Sequence, residues 1–584
     1  MKKLNNKGYL LVEIIVASVL AMTIAYFLIE LTLNLKAKND DVFVDTILVT
    51  DKMLMTDVIQ EDIGKYNVTK ISQPSDNMLD ITYKIRSSDV TKRISIEQDD
   101  NQYIFKYGVI DASGNYDDTV YQKEFNEALD VDRIILSNSC YNEASDTYVS
   151  CSSSADNGNG IMTIKISAYT LYSDTDYGIN VSVPYKTSDI VVEEYTGPRE
   201  IVDEIKELGT KDCEPINGPA MTDEGVCTTE DDYGTSYVFR GTVENNYVKF
   251  GEYQTDVYYG YYHTSDEPFK SYRYAIYDSL NECESAGLYH YNMNCTLAIK
   301  KGTPMYWRII RINGDNTIRM IYDGITISPN NENNPNQFLG VGMYNHNGSS
   351  SYDNVDMGYM YGKINGSSYD ETHANVNDSI VKTKVDNWYK NQINNTIYEK
   401  YIADNLFCND RSITTTGSDV HIYYNNLGYG KNPTYYSAFE RMYHWEDIFE
   451  VPNVPQKVSL MCKLKNDKFT VNDTSKGNGA LTYPVGLISG DEAIYAGVFP
   501  SYNSQTEVFN HYLNAGVRYW TMTPEQLTNG PSSCVYYISE QVDVGCYITT
   551  ANYLGVKPVI SLKADTIFSG TGTMEDPYVV EMDK

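Results

Sequence analysis

The sequence has few basic residues and lacks the short motifs that mark several enzyme and metal-binding classes. Its 46 Lys and Arg residues stand against 79 Asp and Glu residues, which gives a formal net charge of −33. Such a charge would repel a phosphate backbone, so we predict no nucleic-acid partner. The 7 histidines form no HxxxH or HExxH pattern. We therefore predict no catalytic residue, no metal ligand and no cofactor, and we expect that the chain is not an enzyme.

Cysteines are absent before Cys140, and no two of them form a CxxC pair. An even number of cysteines at short separations favours disulfides over zinc ligands or a catalytic thiol, although the connectivity stays open. Disulfides predict an oxidising compartment, and closing each loop can stabilise a domain by roughly 3 kcal/mol. The 10 cysteines fall into pairs of close neighbours in the sequence: Cys140 with Cys151, Cys213 with Cys227, Cys283 with Cys295, Cys408 with Cys462, and Cys534 with Cys546.

The first residues, MKKLNNKG, form a short basic leader that is followed by the apolar run YLLVEIIVASVLAMTIAYFLIEL. This run is long enough to span a lipid bilayer. Lys2, Lys3 and Lys7 place the leader in the cytoplasm by the positive-inside rule, so the rest of the chain is predicted to lie outside the cell. One carboxylate, Glu13, lies near the start of the run. A charge in hydrocarbon costs roughly 2.5–3.5 kcal/mol, so Glu13 requires a cationic partner.

An amino terminus created by cleavage after Gly8 would supply that cation. Lys7, Gly8, Tyr9 and Glu13 together resemble the prepilin motif of type IV pilins and type II secretion pseudopilins. The resemblance implies that a prepilin peptidase cuts after Gly8, that Tyr9 is N-methylated, and that Glu13 pairs with the amine of a neighbouring subunit during assembly. Tyr9 departs from the commoner Phe but keeps the aromatic ring. The alternative interpretation is a plain signal anchor that contains an incidental Glu.

The pattern of an amphipathic helix continues beyond the apolar run. Apolar residues recur at helical spacing from Val44 to Ile59, and Gly64 offers a helix stop. We predict a leader at 1–8, a transmembrane and amphipathic pilin helix at 9–64, a pilin-like β domain at 65–190, a linker with a disulfide loop at 191–232, and a surface domain at 233–584. Alternation predicts strands in the β domain at Met78–Arg86, Arg93–Ile96, Tyr103–Tyr107 and Ile161–Ala168.

The segment 233–584 is rich in Tyr, Asn and Gly and contains several separate landmarks. They are Tyr306–Ile312, Asp378–Tyr389, Phe407–Arg411, Tyr483–Glu492, Tyr519–Pro524 and Gly555–Leu562. Together these landmarks resemble a bacterial surface domain related to C-type lectin-like and formylglycine-generating-enzyme-like modules. With the N-terminal motif, the resemblance implies an α+β fold. We expect a long pilin helix packed on an antiparallel sheet, followed by a disulfide-rich C-type lectin-like α+β domain.

Enzymes of the formylglycine-generating type use a redox cysteine pair with copper, which draws attention to Cys534 and Cys546. These two cysteines enclose a segment that reads as a strand, a turn and a strand, so we interpret them as a structural bridge. The calcium-binding motifs of C-type lectins are not found in the sequence, and sugar binding is not carried over. Trp307, Trp388 and Trp520 are candidates for stacking on a sugar, but aromatic residues beside β-branched neighbours are more typical of a core.

These observations favour a minor, tip-type type IV pilin-like subunit that presents an extracellular binding or adhesion domain after prepilin peptidase processing. A C-terminal part of this size would hinder the close packing of a major pilin. The alternatives are a pseudopilin of a type II secretion or competence system, and a membrane-anchored surface enzyme of the formylglycine-generating-enzyme-like fold. The expected partners are prepilin peptidase, other pilin or pseudopilin subunits, membrane lipid and an extracellular ligand. The expected location is a single pass through the cell membrane, with the bulk at the cell surface or in a pilus.

Overall fold

Contacts within the chain divide it into two compact units, Met1–Gly197 and Pro198–Lys584. Strands account for 40% and helices for 17% of the structure. No helix in the described residues is long and apolar enough to cross a membrane. The structure, a computed structural model, describes residues 55–582 except 87, 100–101, 126–128, 143–146, 151–154, 157–159, 171–178, 186–188, 194–195, 210, 214–224, 263–273, 278–279, 288–292, 328, 330–336, 347–351, 415–425, 443–457, 501–509, 529–531 and 552–553.

In its described part, the first unit contains helix α1 at 55–65 and two β-sheets. One sheet has the strand order β5-β4-β3-β2-β1-β11-β8, and the other has the order β10-β9-β6-β7. Within the first sheet, β1 and β11 are parallel and β1 and β2 are antiparallel. The strands are β1 (Asn67–Ser75), β2 (Met78–Ile85), β3 (Ser88–Asp99), β4 (Gln102–Ile110), β5 (Tyr116–Glu124), β6 (Leu129–Asn142), β7 (Thr147–Ser150), β8 (Ala155–Asp156), β9 (Gly160–Thr170), β10 (Ile179–Tyr185) and β11 (Asp189–Glu193).

The core of the first unit follows from two sequence periods. Successive side chains of a strand point to opposite faces, and Leu79, Ile81 and Tyr83 of β2 are accordingly all buried on one face. Helix α1 contributes Met55, Ile59 and Ile63, which lie four residues apart and so share one side of the helix. These helical residues belong to the same apolar cluster as the strands. This apolar side of α1 therefore packs against the strands.

The predicted α+β class is wrong, because the structure is mostly β and a long N-terminal helix packed on a sheet is not seen. Residues 9–54 of the predicted helix lie outside the described residues, and only its last turns from residue 55 are described as helical. Alternation identified β2, β3, β4 and β9, but it missed strands such as β5 and β6. Strand β5 reads YDDTVYQKE, where polar residues on both faces hide the two-residue period.

The second unit contains short helices between long loops. In the described residues these are α2 (Val202–Leu208), α3 (Leu280–Gly287), α4 (Tyr369–Thr372), α5 (Ile380–Gln392), α6 (Ser437–Met442) and α7 (Gly490–Tyr495), together with single 3₁₀ turns at Asn354–Met357, Glu399–Tyr401 and Lys465–Asp467. Helix α7 begins with a capping box. The Ser489 side chain accepts a hydrogen bond from the Glu492 backbone, and the Glu492 side chain accepts one from the Ser489 backbone.

The strands of the second unit form one large sheet, one five-stranded sheet and smaller ribbons. The large sheet has the order β12-β13-β18-β14-β31-β30, with β19 joined to β18 and β29 joined to β19. The strands are β12 (Gly225–Glu230), β13 (Thr235–Arg240), β14 (Tyr247–Glu252), β15 (Val257–Tyr262), β16 (Tyr274–Tyr277), β17 (Met293–Ile299), β18 (Pro304–Ile312), β19 (Ile318–Gly324), β20 (Met360–Tyr361), β21 (Asn377–Asp378), β22 (Phe407–Cys408), β23 (Thr434–Tyr435), β24 (Lys468–Phe469), β25 (Phe499–Pro500), β26 (Tyr519–Leu527), β27 (Ser533–Ile538), β28 (Asp543–Ile548), β29 (Val559–Leu562), β30 (Phe568–Ser569) and β31 (Tyr578–Val580).

Strands β18 and β19 lie in the core of the large sheet, and their side chains are buried on both faces. Trp307 is fully buried, and its Nε1 donates a hydrogen bond to the carbonyl oxygen of Phe250 at 2.8 Å. Arg308 and Arg311 of the same strand are buried too. The alternation of Arg with Ile in this strand therefore does not mark a solvent-facing side.

Four of the predicted disulfides are present: Cys213–Cys227, Cys283–Cys295, Cys408–Cys462 and Cys534–Cys546. The expected pair of Cys140 and Cys151 cannot be described, because Cys151 lies outside the described residues. The bridge between Cys534 and Cys546 joins the neighbouring strands β27 and β28, as the structural interpretation of this pair requires.

The predicted C-type lectin-like α+β class is corrected in the second unit as well, since strands predominate over short helices. Among the described residues the longest helix is α5, with 13 residues. It ends at Gln392, and Asn395 adopts a left-handed φ of 59°, a conformation that Asn tolerates after a helix end. The predicted linker 191–232 contains α2 and β12, and Ile201 and Ile205 are buried in this unit.

Candidate ligand-binding cleft

A cleft with a volume of about 380 Å³ lies beside helix α5 in the second unit. Small-molecule sites in proteins commonly have volumes of roughly 300–1,000 Å³. The cleft is therefore large enough for a small ligand or for one unit of a polymer. Helix α5 lines it with Ile380, Thr383, Lys384, Asn387, Trp388 and Gln392. Other segments contribute Tyr253, Val257, Leu339, Asn345, His346, Tyr361 and Asp378.

Helix α5 is held in place by a cap and an apolar face. The Ser379 side chain accepts a hydrogen bond from the backbone N–H of Lys382 at 3.2 Å. Val381 and Val385 are fully buried and lie four residues apart, so they anchor one side of the helix in the core. Asn387 lies on the opposite side and is exposed. The helix thus presents a polar side to the cleft.

The aromatic base of the cleft is fixed by ring contacts. Trp388 is 7% exposed, and its ring meets those of Trp307 and Tyr322 edge-on, with centroids 5.9 Å and 6.2 Å apart. The Tyr322 hydroxyl in turn lies 2.8 Å from that of Tyr253, which also lines the cleft. The Trp388 Nε1 is buried without a hydrogen-bond partner among the described residues. The position of the indole is therefore set by its contacts with Trp307 and Tyr322, not by a hydrogen bond.

Several polar side chains in the cleft hold its walls together. The Gln392 Oε1 accepts a hydrogen bond from the backbone N–H of Gln254 at 2.7 Å, and its Nε2 donates to Thr255 at 2.8 Å. The Lys384 Nζ donates to the carbonyl oxygen of Val341 at 3.0 Å. These bonds tie α5 to the loop before β15 and to the loop that follows β19. These contacts therefore fix the position of α5 at the wall of the cleft.

Among the described residues, the charges in the cleft nearly cancel. Within that part of the chain, Asp378 is the one carboxylate in the lining, and it lies 3.1 Å from the Lys382 Nζ, while Lys384 is the one ammonium group that lines the cleft. Burial raises the pKa of Tyr361, and Asp356 and Asp378 raise it further, so its phenol stays neutral at physiological pH. A cleft of this kind suits an uncharged polar ligand better than an ion.

The residues predicted for processing and assembly, Gly8, Tyr9 and Glu13, lie outside the described residues. The three tryptophans that were candidates for a sugar platform do not form one surface. Trp307 and Trp520 are fully buried, which confirms the core interpretation for both. Only Trp388 reaches the cleft.

The histidines in the described residues separate into two kinds. His373 and His511 are buried, and their Nε2 atoms lie 2.8 Å and 2.9 Å from the carbonyl oxygens of Gly428 and Ala496. Burial lowers the pKa of His373 well below its ordinary value and that of His511 to about 3, so both are neutral structural residues. His346 lines the cleft and is exposed.

One further group combines ionisable and sulfur-containing side chains. The carboxylate of Glu525 and the sulfurs of Cys534 and Cys546 lie within 4.8 Å of one another. Burial raises the pKa of Glu525 to about 8. Because the sulfurs form a disulfide, they are not thiolate ligands, and the group is not a metal site in this state.

Comparison of the chain with protein-family models, curated proteins and solved structures gives no match. The assignment of the candidate site therefore depends on the geometry of the cleft alone. The sequence marked Asp378–Tyr389 as a landmark but did not connect it with Tyr253 or His346. Those residues lie far from α5 in the sequence, and no short motif joins them. Trp388, a candidate for stacking on a sugar, was the local sign of the cleft in the sequence.

Proposed function

We propose that this chain is a minor, tip-type type IV pilin-like subunit whose second unit is an extracellular binding domain. The observation that carries the proposal is the sequence around Gly8, Tyr9 and Glu13 at the start of the apolar run. Cleavage after Gly8 creates an amine, and a carboxylate placed a few residues later in hydrocarbon needs such a cation. Prepilin peptidase, other pilin subunits and membrane lipid are the proposed partners.

Other features support an exported binding domain. The four described disulfides are typical of proteins that fold in an oxidising compartment. The cleft beside α5 supplies a rigid site with aromatic and amide side chains, and we assign it to an uncharged, polar extracellular ligand. A pseudopilin would carry the same processing signal, but the 387 residues from Pro198 to Lys584 are more than a tightly packed filament subunit can easily accommodate.

The processing step is tested at the amino terminus of the full-length protein isolated from its native membranes. Mass spectrometry should find an N-methylated Tyr9 terminus in the wild type and in the leader variant Asn6→Ala. The variant Gly8→Val should keep the leader, because a branched side chain crowds the scissile bond. Cells without prepilin peptidase should also keep it. An intact Met1 terminus on the wild-type protein in peptidase-containing cells would overturn the proposal.

A further inference from the structure

Lys557 and Asp323 form an ion pair in the interior of the second unit. Each residue is 1% exposed. Asp323 lies on β19, and Lys557 lies just before β29, which pairs with β19 in antiparallel fashion. The register that sets Ile321 opposite Val559 continues with a hydrogen bond from the Tyr322 N–H to the Pro558 carbonyl oxygen, and one further step along it brings Asp323 opposite Lys557. The two side chains therefore meet directly across neighbouring backbones.

This pair is poorly solvated by its surroundings. The Lys557 Nζ lies 3.6 Å from the Asp323 Oδ1, which is longer than a hydrogen bond. The same Nζ lies over the rings of Tyr519 and Phe338, at 5.2 Å and 6.0 Å from their centroids. The Asp323 Oδ1 accepts a hydrogen bond from the Gln337 Nε2 at 3.2 Å, and its Oδ2 has no partner among the described residues. Two buried charges with so few hydrogen bonds are costly.

The uncharged forms of the pair are correspondingly favoured. Burial lowers the pKa of Lys557, and the charge of Arg308 lowers it further, against the opposing effect of Asp323. Burial raises the pKa of Asp323 more than Lys557 and Arg308 lower it. Both shifts favour a neutral amine beside a carboxylic acid. A neutral amine is a nucleophile, and a carboxylic acid has a leaving group that the carboxylate lacks.

We propose that Lys557 and Asp323 condense to an intramolecular isopeptide bond. The Nζ lone pair attacks Cγ of Asp323, and a C–N bond forms. The negative charge that develops on Oδ1 is stabilised by the hydrogen bond from the Gln337 Nε2. A proton passes from Nζ to the unpartnered Oδ2, the bond between Cγ and Oδ2 breaks, and one water molecule leaves. No oxidant, reductant or further reactant is required.

Because the fold holds the two groups side by side, the condensation does not need the high concentration of reactants that it would need in solution. Well-oriented intramolecular reactions reach effective molarities of roughly 10⁵–10⁸ M. The product would join the segment just before β29 covalently to β19 in the large sheet and replace a buried amine and a buried carboxyl group by one amide. This gain in mechanical strength would suit a surface subunit, but the inference does not depend on pilus assembly.

A second buried pair provides an internal control. Lys382 is fully buried on α5, and its Nζ lies 2.5 Å from the Asp386 Oδ2 and 3.1 Å from the Asp378 Oδ1. With two carboxylate partners and a partly exposed Asp378, this lysine is well satisfied as an ion. We expect no bond there.

The test is peptide mapping of the reduced, full-length wild-type protein by tandem mass spectrometry. The expected result is that most molecules carry a peptide containing Lys557 joined to one containing Asp323, with the loss of one water molecule. Lys557→Met and Asp323→Ala should abolish the joined peptide, whereas Lys382→Met should keep it. The wild-type map decides the question even if a variant fails to fold.

Two results would overturn the inference. One is recovery of both peptides unjoined from folded wild-type protein. The other is loss of water confined to the Asp323 peptide, because Asp323 precedes Gly324 and such a sequence can cyclise to a succinimide without Lys557. Intact mass alone cannot separate that product from the isopeptide, so the joined peptide is the required observation.

Discussion

The two units are stabilised by different means. In the first unit, the described side chains form an apolar core with few buried polar residues, and the ion pair Arg93–Asp80 is isolated, with 13% and 10% of the two side chains exposed. In the second unit, whole ion-pair networks are buried. Glu492 bridges Arg311 and Arg319, while Arg441 contacts both Asp410 and Asp491.

This difference follows from how regular the secondary structure of each unit is. Long alternating strands can bury one continuous apolar face, and little else is needed to fix their register. The second unit has short strands and helices joined by long loops, so polar partners from distant segments must be held together. Charged pairs and disulfides can specify such contacts, although a buried charge is costly once its partner is removed.

The largest loss in the free energy of unfolding is expected from Glu492→Ala in the second unit. The change leaves Arg311 and Arg319 without a shared carboxylate and removes the acceptor for the Ser489 backbone N–H. Loss of one member of a buried ion pair costs about 3–5 kcal/mol in the free energy of unfolding. Urea unfolding of the variant and the wild type measures this loss. The matched control is Glu204→Ala, which removes a partly exposed partner of Arg199 and should cost under about 1 kcal/mol. Equal costs would contradict the account.

The free energy of unfolding that is lost on removing a disulfide should increase with the size of the loop that the disulfide closes. The separation between cysteines is 54 residues for Cys408–Cys462 and 12 residues for Cys283–Cys295. In the chain-entropy model, replacing both cysteines by Ser costs about 4 kcal/mol for the long loop and about 3 kcal/mol for the short one. Both double variants are compared by urea unfolding under non-reducing conditions. A larger loss from the short loop would show that native-state contacts, not loop entropy, dominate.

Glu525→Gln should stabilise the second unit in a pH-dependent way. Burial raises the pKa of Glu525 to about 8 from an ordinary value of 4.5, so the folded state keeps a proton that the unfolded chain releases. The stability tied to this proton is fully present below the ordinary value and is lost as the pH rises toward the folded value. The variant should therefore exceed the wild type by about 3 kcal/mol near pH 7, because each pH unit corresponds to about 1.4 kcal/mol. The difference should vanish near pH 4, as unfolding curves at the two pH values would reveal.

The smallest loss of stability is expected when the same substitution, Ile to Val, is made in the core of each unit. Ile81 of the first unit and Ile560 of the second are both fully buried. Replacing either by Val removes one methylene and should cost about 1 kcal/mol. Hydrogen exchange resolved by peptide reports each unit separately within the full-length chain. A clearly larger cost at Ile560 would mean that the two units also differ in their apolar packing.

The sequence predicted local features of both units better than long-range ones. Strand β2 follows from the alternation that ends in Tyr83, and the start of α7 follows from Ser489 and Glu492, which lie three residues apart. The predominance of β-structure was missed because strands such as β5 carry polar residues on both faces. The cleft was missed because Tyr253 and Trp388 meet only through the fold. The buried arginines of β18 could not be told from exposed ones without their distant partners.

The most direct test of the proposed function concerns Glu13, the carboxylate within the apolar run. Full-length Glu13→Leu and wild type are compared in membranes and in sheared filaments, with Glu30→Leu at the end of the run as the control. Removing the carboxylate lowers the cost of inserting the apolar run into a membrane by up to about 3 kcal/mol, so Glu13→Leu should stay in membranes. It should be lost from filaments, because the mature amine of a neighbouring subunit would lack its counter-charge, while Glu30→Leu should assemble. Recovery of Glu13→Leu in filaments at the wild-type level would contradict the assignment of this chain as an assembling pilin-like subunit.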